Sequence, residues 1–134
     1  MSNSQNLKPS VKILYVEDDF TNRIVLTSIL KTLGYENVTL AEDAKQAISL
    51  LEPPLIEFDI IFMDLGLPDM DGIELTKLIR QSNWKAKDLP IVAITGNEAT
   101  TAKEKSFAAG MNGFLSKPVD KELMRTILES LLAK

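Results

Sequence analysis

Four carboxylates, a hydroxyl and an ammonium stand at recurring places in this 134-residue chain. Glu17, Asp18 and Asp19 follow the apolar stretch VKILYV, and Asp64 follows IIFM. Thr95 follows PIVAI, and Lys117 stands just beyond GFL. Carboxylates gathered at one point repel unless a cation neutralises them. Hard oxygen donors without imidazole or thiolate suit magnesium, which keeps several waters and takes one or two carboxylates. Carboxylate, hard cation, ammonium and hydroxyl around one point are the equipment for phosphoryl transfer to a carboxylate. Each residue alone also has a plainer role. Acids after strands are often helix N-caps, and Asp19 is assigned that role. A lone Thr fits a turn, and a lone Lys fits a solvated surface. Asp69 and Asp71 lie in a Pro-containing turn and are assigned turn and cap roles. DMDG is not a calcium loop, because the required glycine register would make Leu67 the first ligand.

The chemistry requires elements that bring these residues together. Strands are predicted over 11–16, 37–41, 60–63, 90–94 and 113–115. Between them run helical stripes: Leu26, Ile29, Leu30 and Leu33; Ala44, Ala47, Ile48 and Leu51; Leu75, Leu78 and Ile79. A weakly amphipathic helix is predicted over 98–109. The last helix follows Asp120 and carries Leu123, Met124, Ile127, Leu128 and Leu131 on one face, with Val119 stapled onto Met124. Gly34 and Gly110 read as helix stops, Pro53-Pro54 as another, and Asp71 with Glu74 as a capping box. Strict alternation implies a parallel sheet with helices on both faces and right-handed crossovers. For five strands the expected order is 2-1-3-4-5, with the site beyond the carboxyl ends of the strands. All the singled-out polar residues then meet at one edge.

Composition narrows the function. Apolar residues make up 45% and charged residues 25%, a globular mixture. Cysteine and histidine are both absent, which excludes disulfides, thiolate nucleophiles, His-based zinc sites and Ser-His triads. With 19 acidic and 15 basic residues the net charge is −4, which argues against direct nucleic-acid binding. No apolar run reaches the roughly 20 residues of a membrane span, and Met1–Ser10 is too polar for a secretory signal. The expectation is a cytoplasmic protein without membrane contact, with residues 1–10 a polar tail or linker remnant and 11–134 one domain.

Over about residues 11–133 the chain resembles the receiver domain of two-component response regulators, a flavodoxin-like (βα)5 fold. The motifs are an acidic pair in KILYVEDD, an aspartate in DIIFMDLGLPDMDG, a threonine in IVAITG and Lys-Pro in GFLSKP. MDLGLPDMDG and IVAITGN are similar to receivers within hybrid sensor histidine kinases. The resemblance implies that Asp64 is the phosphoacceptor. It implies that Asp18, Asp64 and the Gly66 carbonyl hold magnesium, with Glu17 acting through water. Family members often carry Asp where Glu17 stands. The resemblance further implies that Lys117 pairs with the phosphoryl group, that the bond before Pro118 is cis, and that Thr95 and Phe114 form the switch. The bland alternative for Phe114 is a core or half-buried strand residue. Gly66 and Asn97 occupy the positions that tune hydrolysis, and with no side chain at Gly66, self-dephosphorylation is expected.

The implied partners are a sensor histidine kinase or histidine phosphotransfer protein and a downstream protein target. The output surface is expected on the fourth helix, fifth strand and fifth helix. The domain is expected to be a signalling module that catalyses its own phosphotransfer and slow dephosphorylation. It is either a free-standing regulator or the receiver segment of a hybrid kinase. Three rivals remain. A magnesium phosphohydrolase with an Asp nucleophile normally carries a second Asp where Gly66 stands. A degenerate scaffold normally lacks one of the acids, the Thr or the Lys. A nucleotide-binding flavodoxin-like domain needs a Gly-rich loop where the acids sit.

Overall fold

The computed structural model describes residues 10–52, 57–96 and 100–132. Asn97, the Pro53-Pro54 stop and all of the polar tail except Ser10 lie outside them. Five strands alternate with five helices: β1 (Ile13–Val16), α1 (Phe20–Thr32), β2 (Val38–Ala41), α2 (Ala44–Leu51), β3 (Ile60–Asp64), α3 (Gly72–Gln81), β4 (Ile91–Thr95), α4 (Thr100–Ala108), β5 (Gly113–Ser116) and α5 (Lys121–Leu132). All strands pair in parallel, in the order β2-β1-β3-β4-β5. No helix among the described residues is long and apolar enough to cross a membrane.

The two faces of the sheet bury two separate clusters. Leu14, Val16, Ile61, Met63, Ile91 and Ala93 pack with Ala44, Ala47 and Leu51 of α2 and Leu75 and Ile79 of α3. Ile13, Tyr15, Ile60, Phe62, Val92 and Ile94 pack with Leu26 and Leu30 of α1 and Met124 and Leu128 of α5. Every residue of the central strands β1, β3 and β4 is buried, as coverage on both faces requires. Successive side chains therefore serve opposite layers.

Several boundaries differ from expectation for local reasons. β1 starts at Ile13, because the Lys12 N–H donates to the Asp59 side chain at 2.8 Å rather than to a strand. Leu78 and Leu123 are exposed, at 41% and 57%. Each precedes a buried residue, Ile79 or Met124, and one step around a helix carries it about 100° off the buried stripe. Asp71 does cap α3, but its side chain accepts from Ile73, one residue short of the capping-box donor Glu74. A short 3-10 turn over Lys85–Asp88 precedes β4, outside the elements that the sequence pattern predicts. Gly34 and Gly110 do end helices, at φ +101° and +110°, where a side chain would be strained. Val119 and Met124 lie in the same cluster, consistent with the expected staple.

The loop after Asp64 is fixed at several points. Leu67 is buried and Met70 packs against the α2/α3 cluster. A Cβ on Gly72 would clash with the Asp64 carbonyl oxygen, so only glycine lets α3 start this close to β3. Asp69 reaches across to another helix. Its two oxygens accept from the Ala44 and Lys45 N–H groups of α2, at 2.9 and 3.0 Å. Asp43, the N-cap of α2, takes the third N–H, from Gln46 at 2.8 Å. The Ala44 bond, chiefly, holds the Asp69 carboxyl below its ordinary pKa. Such a group stabilises the fold above its unfolded pKa, and the contribution disappears as pH falls through the folded value. Asp69→Ala is expected to cost about 0.5 to 1 kcal/mol, at the low end for a cap because the group is exposed. Urea denaturation should show this at pH 7 and a smaller difference in acid; equal losses at both would assign the effect to something other than the carboxylate.

Candidate functional site

The parallel register aligns the carboxyl ends of the strands. Val16 lies beside Met63, Asp64 beside Ile94, and Thr95 beside Ser116. The residues that follow therefore emerge at one edge. Asp19 caps α1, its carboxylate accepting from the Asn22 N–H at 2.8 Å, as its position suggested. The Arg23 guanidinium donates to the backbone oxygens of Glu17 and Asp18, at 3.1 and 2.9 Å. This pins the acidic turn from the first turn of α1.

Glu17 is 1% exposed. Its Oε1 accepts from the Tyr15 hydroxyl at 3.0 Å and lies 2.9 Å from Lys117 Nζ. Its Oε2 accepts from the Asp19 N–H at 3.1 Å. Asp64 is 7% exposed, with Oδ1 at 3.6 Å from Lys117 Nζ and accepting from the Gly66 N–H at 3.3 Å. Asp18 is exposed at the rim. Glu17, Asp18 and Asp64 each offer one oxygen, all within 4.8 Å of one another. Burial, followed by the Glu17 charge, pushes the Asp64 carboxyl above its ordinary pKa; Lys117 and the Gly66 N–H oppose the shift. Burial and Glu17 push the Tyr15 hydroxyl up as well.

Three carboxylates against one ammonium leave a negative surplus at a site built wholly of oxygen donors and Lys117. That donor set fits a hard divalent cation. The raised pKa also sets a sign for stability. The native state holds the Asp64 proton more tightly than the unfolded chain does. The group's contribution is therefore fully present below the unfolded pKa and is lost as pH rises through the folded value. Asp64→Asn is accordingly expected to stabilise the metal-free protein at pH 7, by on the order of 1 kcal/mol or a few degrees in Tm. Magnesium should raise the Tm of wild type more than that of the variant. Calorimetry with and without chelator reads both; a destabilised metal-free variant would contradict the repulsion inferred here.

The remaining expected residues are distributed around this centre. Thr95 is buried, and its carbonyl accepts from the Lys117 N–H at 2.8 Å. The Lys117-Pro118 bond is cis, as expected. Lys117 sits nearest Glu17, not Asp64. Phe114 is half-buried on β5, beside Ala93, and packs against the α2/α3 cluster. A Cβ on Gly66 would meet nothing within 4 Å, so the approach to Asp64 on that side is open. An open cleft of ≈ 360 Å³ adjoins, lined by Leu65, Gly66, Thr95, Thr101, Ala102 and Lys105. Sequence reasoning missed Tyr15, Arg23 and the reach of Asp69. The two-residue period of a strand puts Tyr15 and Glu17 on one side of β1, a signal available for the first of them.

The match to known proteins covers nearly the whole chain. Residues 13–129 fit the family model described as the response regulator receiver domain. The osmosensing histidine protein kinase SLN1 of Saccharomyces cerevisiae is 37% identical over 92% of this chain and 10% of its own length. The sensor protein EvgS of Escherichia coli is 35% identical over 93% of the chain and 10% of its own length. The chain thus spans about a tenth of the length of these two relatives. Among solved structures, the receiver domain of the sensor histidine kinase PA1611 from Pseudomonas aeruginosa is 35% identical, with TM-score 0.81. It covers 92% of this chain and 98% of its own, and is described with a magnesium ion coordinated in its active-site cleft. Family match, strand order and the acidic edge agree: the chain belongs to the response regulator receiver domains of two-component and phosphorelay systems.

Proposed function

We propose that Asp64 is the residue that accepts the phosphoryl group, taken from a phosphohistidine on a sensor histidine kinase or histidine phosphotransfer protein. The observation that carries this is the meeting of Glu17, Asp18, Asp64 and Lys117 at the carboxyl edge of the sheet. Asp18, Asp64 and the Gly66 carbonyl would hold magnesium, with Glu17 acting through water. Magnesium there would offset charge on the carboxylates and on the transferring oxygens.

The chain's own groups supply the rest. An oxygen of Asp64 forms the new bond to phosphorus, and the bond from phosphorus to the imidazole nitrogen breaks, its electron pair staying on the ring. Lys117 moves from Glu17 onto the phosphoryl oxygens, a short shift given its 3.6 Å distance to Asp64. The Thr95 hydroxyl donates to the same oxygens. That movement leaves room which Phe114 fills, and the surface of α4, β5 and α5 changes for a downstream protein target. The open space at Gly66 admits water, so the acyl phosphate is hydrolysed in time, with Asn97 the second tuning position. The domain is a signalling module rather than an enzyme with a turnover substrate. Phosphohistidine donors draw on ATP, which points to the cytoplasm. A hybrid kinase is the context favoured by the relatives, whose own receivers form small parts of long chains.

The test is transfer from a purified, radiolabelled phosphohistidine domain. Label should move to this chain in a base-labile, acid-stable form. Label that stays on the donor would overturn the proposal, as would rapid turnover of small phosphomonoesters to free phosphate in a separate assay.

A further inference from the structure

Glu17 is a buried anion whose cation is required elsewhere, and Tyr15 supplies the donor that makes this workable. At rest, Glu17 Oε1 meets the Tyr15 hydroxyl and Lys117 Nζ, and its Oε2 accepts from the Asp19 N–H. If Lys117 moves to a phosphoryl group on Asp64, Oε1 loses its direct ion pair and only a magnesium reached through water would face it, although the residue is 1% exposed in this structure. A buried charge stripped of a partner is strongly disfavoured. The Tyr15 hydroxyl is then the side-chain donor left on Oε1. It sits at the end of a ring that is 1% exposed and packed among the residues facing α1 and α5, so it cannot swing away.

We propose that Tyr15 is a positioning residue that keeps Glu17 in place when Lys117 leaves it, so that the phosphorylated arrangement can form. The inference rests on the proposed transfer to Asp64 and the accompanying movement of Lys117. It adds a role for a strand residue that looks, by composition, like ordinary core. The reach also matches the side chains present: a glutamate stands at 17, and its Oε1 extends back to a hydroxyl two residues earlier on the same side of β1.

The experiment uses Tyr15→Phe, which removes only the hydroxyl, in wild-type and Lys117→Ala backgrounds. The first readout is thermal stability of the metal-free protein, where Lys117→Ala imitates the departed lysine. Tyr15→Phe is expected to lower Tm more in the Lys117→Ala background than in wild type. Equal losses in both would mean simple packing and would overturn the proposal. The second readout is binding of magnesium with beryllofluoride, a phosphoryl mimic, against binding of magnesium alone. Tyr15→Phe is expected to weaken beryllofluoride binding about tenfold, and magnesium alone by clearly less. Equal effects on the two would also overturn it. If wild type itself neither bound beryllofluoride nor accepted phosphate, the proposed transfer would fail, and this assignment with it. The Tm comparison would still show whether Tyr15 supports Glu17.

Discussion

Asp64→Asn is expected to abolish phosphate uptake while leaving the fold intact. The amide matches the carboxylate in shape but offers no nucleophilic oxygen of comparable strength. No other group takes its place. Glu17 is committed on both oxygens, to Tyr15 and Lys117 on one and to the Asp19 N–H on the other. Asp18 is exposed at the rim, and it is Asp64 that accepts the Gly66 N–H. A phosphate-affinity gel after incubation with magnesium and acetyl phosphate should show a shifted band for wild type alone. The same variant is expected to be more stable than wild type without metal, so loss of uptake cannot be put down to unfolding. A variant that takes up phosphate at wild-type stoichiometry would remove Asp64 from the chemistry.

Lys117→Ala is expected to have the second-largest effect, and a different one. Its ammonium is the cation shared by two buried carboxylates, at 2.9 and 3.6 Å. Without it, charge on the transferring oxygens goes uncompensated on one side. Removing a preorganised donor of this kind typically slows the chemical step about a hundredfold. Asp64 remains, so phosphate should still appear, slowly. The larger defect should lie in the response. With no lysine to bind the phosphoryl group, β5 loses the link between Asp64 and Phe114, three residues before Lys117. Fluorescence or amide-shift changes on adding beryllofluoride and magnesium should shrink sharply. An unchanged spectral response in the variant would contradict the role given to the lysine.

Much of this site was legible because the fold writes it into the chain locally. Asp64, Thr95 and Lys117 each stand at or just past the end of an apolar run, and a parallel sheet puts such ends at one edge. The type of the donors then indicated the chemistry before any geometry was known. What escaped notice was carried by contacts that no short pattern encodes. Asp69 caps a helix 25 residues earlier in the chain, so nothing near it announces the partner. Tyr15 sits in a strand buried on both faces, where apolar character masks the one polar atom. Arg23 looks like a solvated helix residue, yet its guanidinium holds the backbone of the acidic turn. Leu78 and Leu123 erred the other way, being apolar residues that the helix turns outward. The weakly patterned α4 buries a small residue rather than its aromatic one: Ser106 is buried, as is Ala109 just past its end, while Phe107 is 44% exposed.

The central claim is that Asp64 carries the phosphoryl group, and one chemical mapping tests it directly. The wild-type chain would be treated with magnesium and acetyl phosphate, then reduced with borohydride, which converts an aspartyl phosphate to homoserine. Peptide mass spectrometry locates the converted residue. The structure predicts homoserine at position 64 and at no other aspartate. Homoserine at position 18, or a chain left unconverted while a parallel receiver of known activity is converted, would contradict it.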